Sequence, residues 1–219
     1  ALPFGAHYRN IDFTLSNCAN SGIRHIGVAT QYRGASLIRH LERVWSDPTA
    51  TGGALVEPWR AHGVGYGGTA EAVYQNWPKI ERLDAERVLV LAGDHVYKMD
   101  YRPMLRDHVT NRADVTVGCV EVPIGAANQF GVMSVDDDGR VLRFREKPRQ
   151  AESLPGRPDR ALASMGIYVF SREWLARQLS HHASSPALSR DFGRDVIPQA
   201  IDCARAFAHR FTADATVGG

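Results

Sequence analysis

The chain has 219 residues, 44% of them hydrophobic and 23% charged, which at about 150 residues per domain makes one large domain or two small ones and excludes a disordered tail, a collagen-like chain or a coiled coil. Lys plus Arg is 26 against 24 for Asp plus Glu, a net charge of +2, so no broad basic face is implied and nucleic-acid binding has no support. A chain of this length buries a sizeable core without covalent staples.

Ile11 to Ser21 carries apolar residues at helical spacing, and Gly22 fits a C-terminal cap. Arg24–Thr30 reads as a short strand. Ala35–Trp45 reads as a helix with Leu37, Ile38, Leu41, Val44 and Trp45 on one face. Residues 46–68, rich in Gly, Pro and Thr, read as loop with a strand at Ala54–Glu57. Thr69–Trp77 reads as a helix opening after Gly67-Gly68. Arg87–Gly93 is a nearly continuous apolar run, which suits a strand buried on both faces of a parallel sheet. Tyr101–Asn111 reads as helix and Asp114–Val122 as strand. Gly131–Val135 and Val141–Arg145 flank Asp136-Asp137-Asp138-Gly139, a hairpin signal. Residues 149–160 are polar and Pro-containing, a surface loop rather than a linker. Ala163–Phe170 is a strand, Arg172–Leu179 and Asp191–Cys203 are helices, and Ala206–Phe211 is a last strand. Alternating strands and helices predict an α/β fold with a largely parallel sheet, the hairpin adding antiparallel character.

The three cysteines, Cys18, Cys119 and Cys203, form no C-x-x-C pair. Neither a disulfide framework nor a zinc site is expected, and buried free thiols in a reducing cytosol is the preferred reading. No apolar run approaches the roughly 18 residues of a membrane span, and no signal peptide is visible. The chain opens on Ala1 and closes on Thr216-Val217-Gly218-Gly219 without a finishing element. Both ends are therefore expected to be cut from a longer protein.

Five segments could carry chemistry. Asp94, in Leu91-Ala92-Gly93-Asp94-His95, follows the apolar strand, where ligands of open α/β sheets collect. One carboxylate there suits Mg²⁺, which takes one or two carboxylates and completes its shell with phosphate and water; a turn or helix-capping aspartate fits the position equally well. His95 reads as structural. Tyr66-Gly67-Gly68-Thr69-Ala70-Glu71 runs a glycine pair into a helix, leaving N–H groups for a phosphate, although a flexible loop with a capping Thr is the commoner meaning. Lys147, in Phe144-Arg145-Glu146-Lys147-Pro148, could place a compact positive charge on a phosphate, although strand-end lysines are mostly just exposed. Ser164-Met165-Gly166-Ile167-Tyr168-Val169-Phe170 alone reads as a core strand. Asp191-Phe192-Gly193 has the letters of the kinase metal motif, without the accompanying kinase segments. His7, His25, His40, His62 and His108 are scattered and read as surface or core residues.

Taken in order, these segments and several neighbours resemble the sugar-phosphate nucleotidyltransferases, most closely the bacterial ADP-glucose pyrophosphorylases (glucose-1-phosphate adenylyltransferases). The matching runs are Arg9-Asn10-Ile11-Asp12-Phe13-Thr14-Leu15-Ser16-Asn17-Cys18, Ser21-Gly22-Ile23, Thr30-Gln31-Tyr32, Gly68-Thr69-Ala70-Glu71-Ala72-Val73 and Leu91-Ala92-Gly93-Asp94-His95-Val96-Tyr97. They continue with Phe130-Gly131-Val132-Met133, Glu146-Lys147-Pro148, the Ala163–Phe170 strand, and Asp191-Phe192-Gly193-Arg194-Asp195-Val196-Ile197-Pro198. The resemblance implies a Rossmann-like mixed, mostly parallel sheet flanked by helices, in one catalytic domain. It implies formation of ADP-glucose and pyrophosphate from ATP and glucose 1-phosphate, for glycogen biosynthesis, in a cytoplasmic enzyme that is a homotetramer at full length. By position, Asp94 would bind catalytic Mg²⁺. Tyr66, Gly68, Thr69 and Ala70 would line the nucleotide site. Lys147 would hold the phosphate of glucose 1-phosphate, with Gly131, Glu146, Ser164 and Asp191 on the sugar side.

The same resemblance sets the departures. The family's Gly-rich phosphate loop, with its arginine and lysine, would precede Ala1. The second metal-binding aspartate and the C-terminal β-helix domain that serves assembly and allosteric control would follow Gly219. Little turnover is therefore expected of this piece alone. Gly65 stands where a Trp or similar residue is expected, Gly67 where Arg or Gln is expected, and Glu57-Pro58 near an expected Gln pair. These changes leave two alternatives: a non-catalytic regulatory subunit, or a transferase using UTP, dTTP or GTP.

Overall fold

The computed structural model describes every residue except 1, 5–7, 32–33, 62, 64, 184–190 and 212–219. His7, Tyr32, His62 and the 216–219 terminus thus lie outside the described residues. The elements in chain order are β1 (Pro3–Phe4), β2 (Tyr8–Arg9), α1 (Asn10–Asn20), β3 (His25–Thr30), α2 (Gly34–Val44), β4 (Leu55–Arg60), α3 (Thr69–Gln75), α4 (Trp77–Glu81), β5 (Arg87–Leu91) and α5 (Arg102–Thr110). There follow β6 (Val115–Pro123), a 3-10 segment (Ile124–Gln129), β7 (Gly131–Val135), β8 (Val141–Glu146), β9 (Arg160–Ser171), α6 (Arg172–Ala183), a π turn (Phe192–Val196), α7 (Ile197–Cys203) and β10 (Ala206–Arg210). Packing divides the chain into two compact units. The first comprises Ala1–Tyr66 and Ala92–Pro103, the second Gly67–Leu91 and Met104–Ala213.

In the first unit β3 and β4 pair in parallel, from His25 opposite Leu55 to Thr30 opposite Arg60. Ile11 and Leu15 of α1 pack with Val28, Leu41, Trp45 and Val56, as the helical spacing predicts. The helix stops at Gly22, whose φ of +81° only glycine adopts without strain. There the Gly22 N–H bonds the Ala19 carbonyl and the Ile23 N–H bonds the Cys18 carbonyl, the double hydrogen bond of a Schellman cap. At the other end of α1 the buried Asp12 carboxylate accepts from the Arg9 N–H (2.7 Å) and the Trp45 indole (2.8 Å), with His40 Nε2 also 2.8 Å away. A buried acid needs such a full set of partners. His40 is thereby a core residue, while His25 is exposed.

The second unit is built on a six-stranded sheet in the order β10-β6-β9-β7-β8, with β5 also on β9. The mixed α/β class is as expected, but the sheet is more antiparallel than the sequence suggested. Among the described strands only β10–β6 here, and β3–β4 in the first unit, pair in parallel. An apolar run fixes that a strand is buried and not its direction. Thus β5 runs antiparallel to β9 and is half-buried along Val88–Leu91 rather than enclosed on both faces. The β7–β8 hairpin forms around Asp136–Gly139 as read, with Gly139 at φ +80°. The predicted helix at Thr69–Trp77 ends at Gln75, and α4 restarts with Pro78 in its first turn, where its missing N–H costs nothing. The core gathers Val115, Val117, Leu162, Phe170, Leu175, Phe192 and Ile197, among others. Cys18 and Cys119 are buried free thiols as expected, whereas Cys203 is exposed. No helix among the described residues is long and apolar enough to cross a membrane.

The twelve-residue β9 organises this sheet. β6 pairs along its whole length on one edge. On the other edge β5 covers Ile167–Ser171 and β7 covers Leu162–Ala163. Residues 164–166 pair with neither. At the same point the β6–β9 register slips: Gly118 faces Ile167 and Cys119 faces Ser164, so Met165 and Gly166 bulge from β9. Gly166 takes φ +67°. Bulges of this kind re-aim side chains beside functional sites.

His108 is buried on α5 with Nδ1 2.8 Å from the Thr116 hydroxyl. Burial, helped by the nearby Arg87 charge and opposed by Asp114, pushes its imidazole down to about 4. The unfolded chain therefore binds a proton that the folded chain refuses between the ordinary value near 6.5 and about 4. Stability is expected to fall as pH drops through that window, by up to about 3 kcal/mol from this group. Urea midpoints from pH 7 to pH 4 should show a slope that flattens in His108→Gln.

Candidate active site

The opening in β9 is furnished in the second unit. Ser164 sits at the edge of the bulge, its Oγ accepting the Gly166 N–H at 3.2 Å. The phenol of nearby Tyr168 is pushed up to about 12 by burial, with the Ser164 side chain opposing and the charges of Glu146 and Asp191 adding. Tyr168 packs on Phe192 with ring centroids 5.9 Å apart.

Glu146 ends β8. A Cβ on Gly131 would lie 2.3 Å from Phe144 Cζ and 2.9 Å from Glu146 Oε2, and a Cβ on Gly193 also 2.9 Å from Glu146 Oε2. The Glu146 carboxylate thus lies close against both glycines, and at Gly131 the Phe144 ring leaves no room for a side chain. Asp191 Oδ1 lies 3.5 Å from that Gly193 position, so the two acids flank one glycine. Burial pushes the Glu146 carboxyl up; Lys147 pulls it down, Asp191 pushes it further up and Arg194 pulls it down. Among the described residues, the Glu146 carboxylate accepts no hydrogen bond and joins no ion pair. Its acceptor sites are therefore open to a ligand that carries donors. Lys147 next to it adopts φ +45°, held by its N–H on the Phe130 carbonyl at 2.9 Å. A non-glycine residue in this left-handed region is a mark of functional sites.

Asp191 caps the π turn. Its Oδ1 accepts from the Gly193 N–H (2.9 Å) and the Arg194 N–H (3.2 Å). Its Oδ2 accepts from the Thr69 hydroxyl at 3.0 Å, and the same hydroxyl accepts the Phe192 N–H at 3.0 Å. The predicted helix from Asp191 thus opens as a π turn, a geometry that recurs at functional sites. Thr69 leads α3. The Gly67 N–H just before it is taken by Glu71 Oε2 at 2.6 Å, which withdraws that amide from the donors that the glycine pair offered a phosphate. Ala70 has its side chain in the core.

In the first unit Asp94 lies on the segment after Ala92, its side chain 80% exposed, with His95 Nε2 3.7 Å away. A polar stripe on α1 holds the backbone of this segment. Asn10 Nδ2 donates to the Asp94 carbonyl (3.3 Å) and Thr14 Oγ1 to the Ala92 carbonyl (3.3 Å). Asn17 uses both ends of its amide: Nδ2 donates to the Tyr97 carbonyl (2.9 Å) and Oδ1 accepts the Met99 N–H (3.2 Å). Ser21 Oγ accepts the Tyr101 N–H (2.9 Å). Positions 10, 14, 17 and 21 fall on one helical face. Tyr66 is also in this unit, its N–H on Gln31 Oε1 at 2.8 Å and its phenol on the Trp59 carbonyl at 3.2 Å. No group of three or more His, Cys, Asp or Glu among the described residues could hold a metal alone.

Of the residues singled out in the sequence, the structure brings Gly131, Glu146, Lys147, Ser164, Asp191 and Thr69 into one unit, with Gly68 and Ala70 beside Thr69. Asp94 and Tyr66 belong to the other unit. Sequence reasoning missed Tyr168 and Gly193, which lie inside segments read as a core strand and a helix. The polar stripe of α1, at positions 10, 14, 17 and 21, was a further signal at helical spacing.

The profile of the nucleotidyl transferase family matches residues 1–215. The chain belongs to that family. This nucleotidyl transferase is 55% identical over its whole length to glucose-1-phosphate adenylyltransferase 2 of Alkalilimnicola ehrlichii, of which the match covers 52%. It is 50% identical over its whole length to the glucose-1-phosphate adenylyltransferase of Dechloromonas aromatica, covering 50% of it, and 52% identical to that of Methylobacillus flagellatus, covering 52%. The chain thus spans about half the length of the curated relatives it matches.

For the nucleotidyl transferase, the α1 stripe makes a graded expectation. Asn17→Ala strands the buried Met99 N–H and the part-buried Tyr97 carbonyl and should lower stability by about 1–3 kcal/mol. Asn10→Ala removes one exposed contact and should cost no more than about 0.5 kcal/mol. Urea denaturation of the two variants at pH 7 measures both.

Proposed function

We propose that the protein carrying this chain is a glucose-1-phosphate adenylyltransferase, with residues 1–219 belonging to its catalytic domain. The reading rests above all on the donor-starved, half-buried carboxylate of Glu146. It is flanked by Asp191 and followed by Lys147, in a chain 50–55% identical to enzymes of that name. Sugar hydroxyls are natural partners of the Glu146 carboxylate and of the acceptor site left on Asp191, because each hydroxyl donates one proton to an acceptor-only group. The adjacent ammonium suits the phosphate of the same substrate.

In this reading the phosphate oxygen of glucose 1-phosphate attacks the α-phosphorus of ATP in line. One P–O bond forms to the sugar phosphate and one breaks to release pyrophosphate. Such a transfer needs positioning and charge neutralisation more than covalent catalysis. Glu146, Asp191 and Ser164 would orient the sugar against Gly131, Lys147 would hold its phosphate, and Tyr66, Gly68, Thr69 and Ala70 would line the nucleotide. A single exposed carboxylate suits Mg²⁺ in its usual mode, completed by phosphate and water. Asp94 would hold that ion, which supplies positive charge to the phosphates when bound. The reading carries with it a cytosolic setting and a homotetrameric full-length protein.

The test is Mg²⁺-dependent pyrophosphorolysis by the full reading frame encoding this chain, with ADP-glucose, UDP-glucose, dTDP-glucose and GDP-mannose offered in parallel. ADP-glucose is expected to be preferred, and Asp94→Asn to lower kcat by about a hundredfold or more. Lys147→Ala should raise the KM for glucose 1-phosphate roughly tenfold or more with a smaller change in kcat, since it removes a charge contact already made in the ground state. Preference for another nucleotide sugar would overturn the base assignment. Absence of turnover with all four would favour a regulatory subunit.

A further inference from the structure

The hydroxyl of Thr69 has one proton to give, and the structure spends it on a carboxylate. Thr69 Oγ1 donates to Asp191 Oδ2 and accepts the Phe192 N–H, both at 3.0 Å. A hydroxyl carries one donor and two acceptor sites, so what remains to Thr69 is a single lone pair. A phosphate oxygen requires a donor, and Thr69 has none left to offer. The side chain of the residue that opens the nucleotide-side segment is therefore turned toward the sugar-side acid, 122 residues away in sequence.

The consequences for Asp191 follow from counting its acceptor sites. Its carboxylate has about four lone-pair directions. Oδ1 is engaged by the Gly193 and Arg194 N–H groups and Oδ2 by Thr69. One direction, on Oδ2, remains. Together with the two N–H groups on Oδ1, Thr69 on Oδ2 fixes the plane of the Asp191 carboxylate and the lone pair it presents. Through the Phe192 N–H it also fixes the first residue of the π turn, whose ring lies against Tyr168.

We infer that the Thr69 side chain is a positioning group for Asp191 and serves recognition of the sugar phosphate, leaving only the Thr69 backbone to line the nucleotide. This rests on the adenylyltransferase reading above, in which Asp191 accepts a sugar hydroxyl. Removing the hydroxyl leaves Asp191 held through Oδ1 alone, with Oδ2 unanchored, and leaves the Phe192 N–H without this partner, while the Gly68 and Ala70 backbone beside it is unaltered.

The experiment compares Thr69→Val, Thr69→Ser and Asp191→Asn in the full reading frame, with KM measured separately for glucose 1-phosphate and ATP and with urea midpoints in parallel. Thr69→Val is expected to raise the KM for glucose 1-phosphate roughly tenfold, with the KM for ATP within about twofold. Thr69→Ser is expected to restore both, because it keeps the hydroxyl. A merely structural role would lower the urea midpoint without separating the two KM values. A KM for ATP that rises as much as that for glucose 1-phosphate, or a failure of Thr69→Ser to rescue, would overturn the inference. If Thr69→Val is too unstable to assay, Thr69→Ala removes the same hydroxyl without adding a methyl group, and the same outcomes apply. If Asp191→Asn leaves the KM for glucose 1-phosphate unchanged, the sugar-side reading itself fails. If Asp191→Asn raises it and Thr69→Val does not, only the role of Thr69 fails.

Discussion

A half-buried carboxylate that no donor among the described residues reaches is the constraint around which the second unit is arranged. Glu146 ends β8 with its carboxylate close against Gly131 and Gly193, where a Cβ would oblige it to shift. A second acid, Asp191, stands beside the same glycine. Bringing two carboxylates together in partial burial is unfavourable, and Lys147 and Arg194 offset it only in part, since the Glu146 carboxyl remains pushed up. The arrangement persists because the sheet behind it over-determines it. β9 is paired along one whole edge by β6, and on the other edge by β5 and β7, which leave a gap at residues 164–166. The acids, the left-handed Lys147 and the bulge at Gly166 all belong to the unit that carries this gap.

The first unit solves a different problem by the same means. A segment without regular structure, residues 92–101, has backbone groups that need partners. The polar face of α1 provides them through Asn10, Thr14, Asn17 and Ser21, while its apolar face packs into the core. One short helix therefore serves both the packing of its unit and the placement of Asp94. Its own start is held by the fully partnered Asp12. Positioning through hydrogen bonds to backbone, rather than through side chain to side chain, leaves the Asp94 carboxylate exposed and available.

Much of this was legible from residue order alone. The spacing of Ile11 and Leu15, the stop at Gly22 and the Asp136–Gly139 hairpin each follow from local chemistry, and each formed where expected. The direction of β5 was not legible, because an apolar run carries no polarity. Nor was the break at Asn76, where Pro78 restarts the helix, or the π turn after Asp191, which depends on Thr69 from far along the chain. The same divide runs through the site. Glu146, Lys147, Ser164 and Asp191 were named from a resemblance, since each segment alone had a commoner structural meaning. Tyr168 and Gly193 stayed hidden because their roles exist only once Glu146 is folded against them. Thr69 was assigned by its neighbours in sequence, whereas its hydroxyl answers to a residue that sequence does not place beside it.

The most direct test of the central claim is a crystal structure of the full-length protein with glucose 1-phosphate bound. The account predicts density in the gap of β9, with sugar hydroxyls donating to Glu146 and to Oδ2 of Asp191 and the phosphate on Lys147. Sugar phosphate bound elsewhere, with the Glu146 carboxylate still lacking a donor, would contradict it.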